Sequence, residues 1–226
     1  GTQLGVEFRY LNRNNHGDAS VEYLPSDKEF GKDRSLIAVE HQGRLTSRIS
    51  TLLLFKEISD RRYFEDLGDS LNIASITHLE RRAEIAYHGN YVGLSTRIQD
   101  FQTVDPAIAK ADRPFERMPQ IRLSATSPWQ PFGLYPRLDT EYTYFDHEIN
   151  VGGHRLDLQP RISLPLQGAA YFFTPQASVR HTRYELDDPL TPGASQQPSR
   201  TTPIYSVDTG LFLDRDTRWR TNRLIQ

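Results

Sequence analysis

The sequence predicts an all-β protein: an antiparallel transmembrane β-barrel, with about eleven strands of its wall present. Three observations carry this prediction. Apolar and polar residues alternate with period two along most of the 226 residues, and short and long links alternate between these segments. Tyr and Phe occur eleven times each and Met only once, whereas a helical domain of this size normally carries more Met, Ala and Lys.

Seven segments are clearly two-faced, because apolar side chains at every second position point to one side of a strand. In chain order the apolar sets are Leu4, Val6, Phe8, Tyr10; Ala19, Val21, Tyr23; Ala83, Ile85, Tyr87; Val92, Leu94, Thr96, Ile98; Leu134, Pro136, Leu138, Thr140, Tyr142, Tyr144; Leu156, Leu158, Pro160, Ile162, Leu164; and Tyr205, Val207, Leu211, Leu213. Segments 48–58 and 171–184 contain adjacent apolar residues, which predicts an ambiguous facing or a bulge. Most segments have roughly nine to thirteen residues, a length that suits a tilted membrane strand.

Several prolines lie within or beside these segments, where each removes a donor from the strand ladder. They are Pro136, Pro160, Pro165, Pro175 and Pro203. One interpretation places them at strand starts or bulges near the rim of the barrel. The other is that they weaken strand pairing locally.

The links between the segments favour a barrel with two unlike rims. Short turns rich in Gly, Asn or Ser are predicted at 12–17, 43–48, 88–91 and 150–153, and longer polar links at 25–34, 59–73, 104–118 and 187–202. Outer-membrane barrels combine tight periplasmic turns with long external loops, which is the pattern that this alternation resembles.

The chemistry of the two faces separates a barrel from a soluble β-sandwich, which would show the same alternation. Aromatic residues gather at strand ends, as in an interfacial girdle: Phe8, Tyr10, Tyr23, Phe101, Tyr142, Tyr144, Phe145 and Tyr205. The polar sides combine Arg with acidic residues, as a hydrated lumen does. The candidate lumen-facing residues are Glu7, Arg9, Glu22, Arg97, Arg137, Asp139, Glu141, Arg155, Asp157 and Arg161.

Composition excludes several classes of protein. The densest apolar stretches, 51–55 and 169–173, are far shorter than the roughly 20 residues of a membrane-spanning helix. A net charge of −2 without basic runs argues against a nucleic-acid partner, and the absence of Cys excludes thiol nucleophiles and zinc ribbons from this stretch. No signal peptide opens the chain, so export has to be inferred in another way.

Catalytic and metal motifs have little support. Residues 68–71 read Gly-Asp-Ser-Leu, a serine-esterase signature, but none of the seven His has Asp three positions before it to complete the site around Ser70. No His-x-x-x-His or His-x-His pair is present. We expect no enzymatic activity, no metal and no cofactor.

A series of local motifs resembles the family of the outer-membrane lipopolysaccharide (LPS) assembly protein LptD, formerly called organic solvent tolerance protein. The matching stretches are EFRYL at 7–11, EYLPSD at 22–27, SD at 59–60, YFEDL at 63–67, RMPQ at 117–120, RLDLQP at 155–160, SLPL at 163–166, DTGL at 208–211 and RD at 215–216. They occur in family order and span nearly the whole chain.

The resemblance implies a Gram-negative outer-membrane protein with a periplasmic jellyroll and a large C-terminal barrel plugged by the lipoprotein LptE. Such a protein receives LPS from a periplasmic protein bridge and releases it into the outer leaflet without covalent chemistry. Residues 1–226 would then be part of the barrel wall, with the jellyroll and remaining strands outside this chain. The ten lumen-facing residues would contact LPS or LptE, and the apolar face would contact membrane lipids. A passive porin-like channel and a soluble hydrolase built around Ser70 remain the alternatives.

Overall fold

The computed structural model describes residues 2–68, 76–188, 193 and 195–213, and the backbone of residues 217–218 and 224–225. Eleven strands have eight or more residues, which confirms the predicted all-β class and strand count. They are β1 Leu4–Leu11, β2 Asn15–Leu24, β3 Arg34–Arg44, β4 Ile49–Ile58, β5 His78–His88, β6 Val92–Thr103, β7 Glu116–Thr126, β8 Tyr135–Asp146, β9 Gly153–Ser163, β11 Tyr171–Leu186 and β12 Ser199–Leu211. Three strands have two residues: β10 Leu166–Gln167, β13 Thr217–Arg218 and β14 Leu224–Ile225.

In the residues that the structure describes, helical structure is limited to three short pieces in the links. They are helix α1 at Tyr63–Leu67 and two 3-10 helices at Lys110–Asp112 and Pro131–Gly133. In the described part of the chain, no helix is long and apolar enough to cross a membrane.

One antiparallel sheet contains twelve of the strands. Strands β1 to β9 pair in sequence order, β11 follows β9, β12 pairs with the far side of β11, and β10 adds two residues beside β11. Strands β13 and β14 pair separately with each other. Within the described residues β1 pairs only with β2 and β12 only with β11, so the sheet has two open edges.

The links gather at two unlike rims of the sheet. The rim that we call the short-turn rim carries links 12–14, 45–48, 89–91, 127–134 and 164–170, and the opposite long-link rim carries 25–33, 59–77, 104–115, 147–152 and 187–198. The predicted alternation is therefore largely confirmed. One predicted short turn, at 150–153, lies on the long-link rim. Strand β8 ends and strand β9 begins at this rim, and the six residues between them suffice to join neighbouring strands.

Segments 48–58 and 171–184, for which an ambiguous facing or a bulge was predicted, contain no bulge. Strand β4 pairs with β3 without a register shift, and so does β11 with both β9 and β12. The irregularity lies in β7 instead, at Met118 and Pro119, where β7 has one residue more than either neighbour. Pro119 removes an amide donor there, which is why the extra residue is accommodated at this position.

The main apolar cluster lies at the long-link rim. Helix α1 packs Tyr63 and Phe64 against Leu36, Ile58 and Leu79, at the ends of β3, β4 and β5. Val104, at the start of the β6–β7 link, completes the cluster. This burial holds the 59–68 segment against the sheet and is the only described core of buried apolar side chains.

Candidate functional site on the polar face

All ten candidate residues lie on one side of the sheet. Residues directly opposite each other on paired strands share a face, so the register can be followed from strand to strand. Glu141 on β8, for example, lies opposite Arg122 on β7 and Asp157 on β9. The register places on this polar face Glu7, Arg9, Glu22, Arg97, Arg137, Asp139, Glu141, Arg155, Asp157 and Arg161.

Burial on the two faces is the inverse of that in a soluble sheet. The polar face buries hydrophilic side chains, including Gln99, Gln120, Asp157, Ser178 and Thr143, the last with no exposed surface. The opposite, apolar face leaves large apolar side chains exposed, among them Val6, Phe8, Ile37, Leu53, Ile85, Leu94, Ile98, Leu156, Leu158 and Ile162. An exposed apolar face of this extent requires a covering surface, since monomers in water rarely expose one.

Aromatic side chains lie near both rims of the apolar face. Tyr10 hydrogen-bonds and stacks with His41 near the short-turn rim. Tyr142 lies 2.8 Å from His154 Nδ1 near the other rim. The predicted girdle is wrong for Phe101 and Phe145, because the register places both on the polar face, where Phe145 lies under the Arg155 guanidinium.

Glu141 is the centre of the polar face between β7 and β9. Its carboxylate accepts a 2.7 Å hydrogen bond from Arg122 Nε, a second from Arg155 Nη2 and a 3.2 Å bond from the Thr143 hydroxyl. Both arginines are predicted to be charged at any physiological pH. The three strands are therefore cross-linked by a fully partnered carboxylate.

A second carboxylate joins β9 to β11. Asp157 accepts two hydrogen bonds from Arg180 Nε, at 2.9 and 3.1 Å, and one of 2.7 Å from the Thr182 hydroxyl. Within β8, Asp139 pairs with Arg137 at 2.8 Å. These carboxylates are therefore satisfied by arginine and hydroxyl groups of the sheet itself.

The remaining candidates are not brought together. Glu7 pairs with Arg9 on the same exposed edge strand, and Glu22 accepts a 2.7 Å hydrogen bond from Tyr63 Oη. Arg97 donates to the neutral Gln120 side chain. Arg161 has a buried Nε that has no hydrogen-bond partner among the described residues. The ten residues thus line one face without forming a single cluster.

Arg34 forms a site that the sequence analysis missed. This arginine, 1% exposed, contacts the carboxylates of Asp27 at 3.2 Å, Asp60 at 2.9 Å and Asp66 at 3.0 Å. Its guanidinium also lies 5.5 Å from the centre of the Tyr63 ring. Arg34 therefore ties link 25–33 and the 59–68 segment to the first residue of β3.

The electrostatics of this cluster follow from its partners. The backbone N–H of Glu29, with help from Arg34, lowers the pKa of Asp27 below its usual range. Burial raises the pKa of Tyr63, and its hydrogen bond to Glu22 raises that pKa further. Asp27, Asp60 and Asp66 lie in sequence stretches that resemble the family, and this resemblance is the sequence signal that could have pointed to them. Their spacing fits no local motif.

The described residues offer little for catalysis or metal binding. Among them no group of three or more His, Asp or Glu side chains is placed to hold a metal ion. Ser70 of the Gly-Asp-Ser-Leu motif lies outside the described residues.

An open antiparallel sheet with hydrophilic side chains buried on one face and apolar side chains exposed on the other belongs to the class of membrane β-barrel walls. The family model LptD, described as LPS transport system D, matches residues 32–226. The chain therefore belongs to the LptD family, whose members reside in the outer membrane of Gram-negative bacteria.

Individual relatives agree with the family model. The chain is 40% identical to the LPS-assembly protein LptD of Nitrosococcus oceani, an alignment that covers 97% of this chain and 30% of the relative. It is 36% identical to LptD of Aromatoleum aromaticum, covering 96% and 27%, and 34% identical to LptD of Alkalilimnicola ehrlichii, covering 100% and 30%. The chain thus spans less than a third of the length of these curated relatives.

Proposed function

We propose that this chain is part of the wall of an outer-membrane barrel that carries LPS to the outer leaflet, and that its polar face lines the passage. In this proposal residues 1–226 belong entirely to the barrel domain. The observation that carries it is the inverted burial, because a barrel in lipid needs an apolar exterior and tolerates charge inside. The relatives' names favour LPS transport over a passive channel.

The polar face would act by exchangeable contacts and not by covalent chemistry. Arg97 and Arg161 are the best candidates for contact with a passing saccharide, since neither forms an ion pair among the described residues. Glu141 and Asp157 are satisfied by strand neighbours and would instead keep the lining rigid and hydrated. The apolar face would contact membrane lipids.

We further propose two protein partners. The lipoprotein LptE would lie against the polar face, where charged and polar side chains can form hydrogen bonds and ion pairs with it. A periplasmic Lpt bridge would deliver LPS through a jellyroll that lies outside this chain. Membership of the family supports both proposals, and the charged polar face supports the proposed contact with LptE.

Photo-crosslinking in intact cells tests this proposal. A photoreactive residue replaces Gln159, on the polar face of β9, in the full-length protein, and its neighbour Leu158, on the apolar face, is the matched control. We expect crosslinks from position 159 to LPS or LptE, and crosslinks from position 158 to membrane lipids only. Equal crosslinking to LPS or LptE from both positions would contradict the proposal. A full-length protein that conducts ions across a membrane but gives no crosslink to LPS would also contradict it.

A further inference from the structure

The two rims of the sheet carry opposite charge. The five links of the short-turn rim contain two arginines, Arg13 and Arg48, and no Asp, Glu or Lys. The links of the long-link rim contain twelve acidic and six basic residues. An anionic group would therefore be attracted to the short-turn rim and repelled from the other.

A cavity of about 580 Å³ opens on the polar face at the short-turn rim, over β1 to β5. Arg13, Arg44 and Arg82 line it together with His16, and Glu84 is its single carboxylate. The rest of the lining is mostly neutral polar side chains, including those of three Asn residues at 12, 14 and 15. The cavity is therefore basic and rich in hydrogen-bond donors.

Two of the three arginines of this cavity are available to a ligand. In the described part of the chain, Arg13 and Arg44 are exposed, and neither pairs with a carboxylate. Arg82 is less accessible, because its Nε is buried and pairs with the carboxylate of Glu80 at 3.6 Å. Within the described residues, Arg13 and Arg44 therefore have no competing carboxylate. This contrasts with Arg122 and Arg155 at the centre of the face, which are bonded to Glu141.

We propose that this basic cavity binds the phosphate groups on the saccharide of LPS. The proposal rests on the proposed function and on the pattern of outer-membrane barrels, whose short turns face the periplasm, the side from which LPS would enter. Arginine suits this ligand because its planar guanidinium can donate two parallel hydrogen bonds to one phosphate. The two exposed arginines, Arg13 and Arg44, would hold the group, and Arg82 would add positive charge beside them.

Protection of arginine from chemical modification gives a direct test. Purified full-length protein is treated with phenylglyoxal, which modifies accessible arginines, and the rate at each site is followed by mass spectrometry. We expect LPS to slow modification of Arg13 and Arg44 severalfold and to leave Arg48 unaffected. Arg48 is the matched control, since it lies in a turn of the same rim but outside the cavity.

Three further compounds, tested in the same protection experiment, identify the chemical group that binds. LPS whose phosphates have been removed enzymatically should not protect, and neither should glucose. Protection by inorganic phosphate with none by LPS would overturn the assignment to the glycolipid. Equal protection by the dephosphorylated LPS would overturn the phosphate assignment.

A variant separates this inference from the proposed function. With both Arg13→Gln and Arg44→Gln, we expect an LPS crosslink from position 42, whose glutamine lines the cavity, to fall at least about fivefold, as loss of charge-assisted hydrogen bonds implies. Arg48→Gln should leave it unchanged. Crosslinking from position 159 reports on the proposed function alone. If that crosslink persists while the double variant has no effect at position 42, only the cavity assignment fails.

Discussion

Arg34 is the residue on which the packing of the long-link rim depends most directly. Its side chain is almost fully buried and is surrounded by three carboxylates, whose own side chains are between 11% and 26% exposed. Removing the one cation that contacts all three carboxylates leaves like charges close together in a partly desolvated site. The cluster therefore contributes more to holding the two links together than an exposed ion pair does.

We predict that Arg34→Met lowers the free energy of local opening of residues 59–68 by about 3 kcal/mol, the lower end of the range for breaking a buried pair. Hydrogen-exchange mass spectrometry on the full-length protein measures this change. The control is Arg62→Met. Arg62 is 63% exposed and, among the residues that the structure describes, forms an ion pair only with Asp66, so we expect an effect below about 0.5 kcal/mol. Equal effects of the two substitutions would refute the role of Arg34.

Glu148 connects two links of the same rim. It pairs with Lys110 and, at 2.8 Å, with Arg113. The Lys110 hydrogen bond is the main cause that holds the pKa of Glu148 below its usual range. Since the folded-state pKa is lowered, the contribution of Glu148 is present above its unfolded pKa and is lost as the pH falls through the folded value.

We therefore predict that exchange protection of residues 147–152 persists from pH 7 to about pH 4.3, the ordinary Glu value, and declines only at lower pH. Glu148→Gln should reduce protection at pH 7 and remove its dependence on acid. Hydrogen exchange corrected for the intrinsic rate at each pH measures both effects. The same acid dependence in the Gln variant would show that another group is responsible.

At the scale of the strand, Pro160 interrupts one ladder. β9 and β11 pair at Arg161 with Ser178 and at Leu158 with His181, but the two positions between them are unpaired, and no register shift accompanies the gap. Pro160 lies opposite Val179 in this register and has no N–H to donate to the Val179 carbonyl. The interpretation of the prolines as strand starts or bulges is therefore wrong for Pro160, which lies inside β9.

We predict that the loss of this bond lets the ladder open more often here, so that the Val179 amide, whose N–H still faces the Pro160 carbonyl, exchanges roughly fivefold faster than those of Ala177 and His181, a factor that corresponds to one hydrogen bond of about 1 kcal/mol. Pro160→Ala restores the donor to the Val179 carbonyl and so makes opening of the ladder rarer, which should slow exchange of the Val179 amide to about the rate of its neighbours. Residue-resolved amide exchange in lipid tests both statements. Uniform protection along β11 in the unaltered protein would show that the gap has no energetic consequence.

At the scale of the whole molecule, the sequence predicted the faces of the sheet better than its contacts. The face on which a side chain lies depends on alternation within one strand, so the face of Glu141 and Asp157 could be predicted directly from the sequence. Their partners Arg122 and Arg180 depend on register between strands, which alternation does not determine. The Arg34 cluster joins residues from two links and was inaccessible for the same reason.

The remaining whole-molecule question is which face meets water, and the absence of Cys from this chain makes it testable. Single Cys residues are placed at Gln159 and Arg161 on the polar face and at Leu158 and Ile162 on the apolar face, in a full-length background without other cysteines. In membranes we expect a water-soluble maleimide to label positions 159 and 161 and to leave 158 and 162 unlabelled. A lipid-soluble quencher should act on fluorophores at 158 and 162 only, because those positions contact acyl chains. The reverse pattern would indicate that the apolar face is an internal core and that the sheet belongs to a soluble β-sandwich.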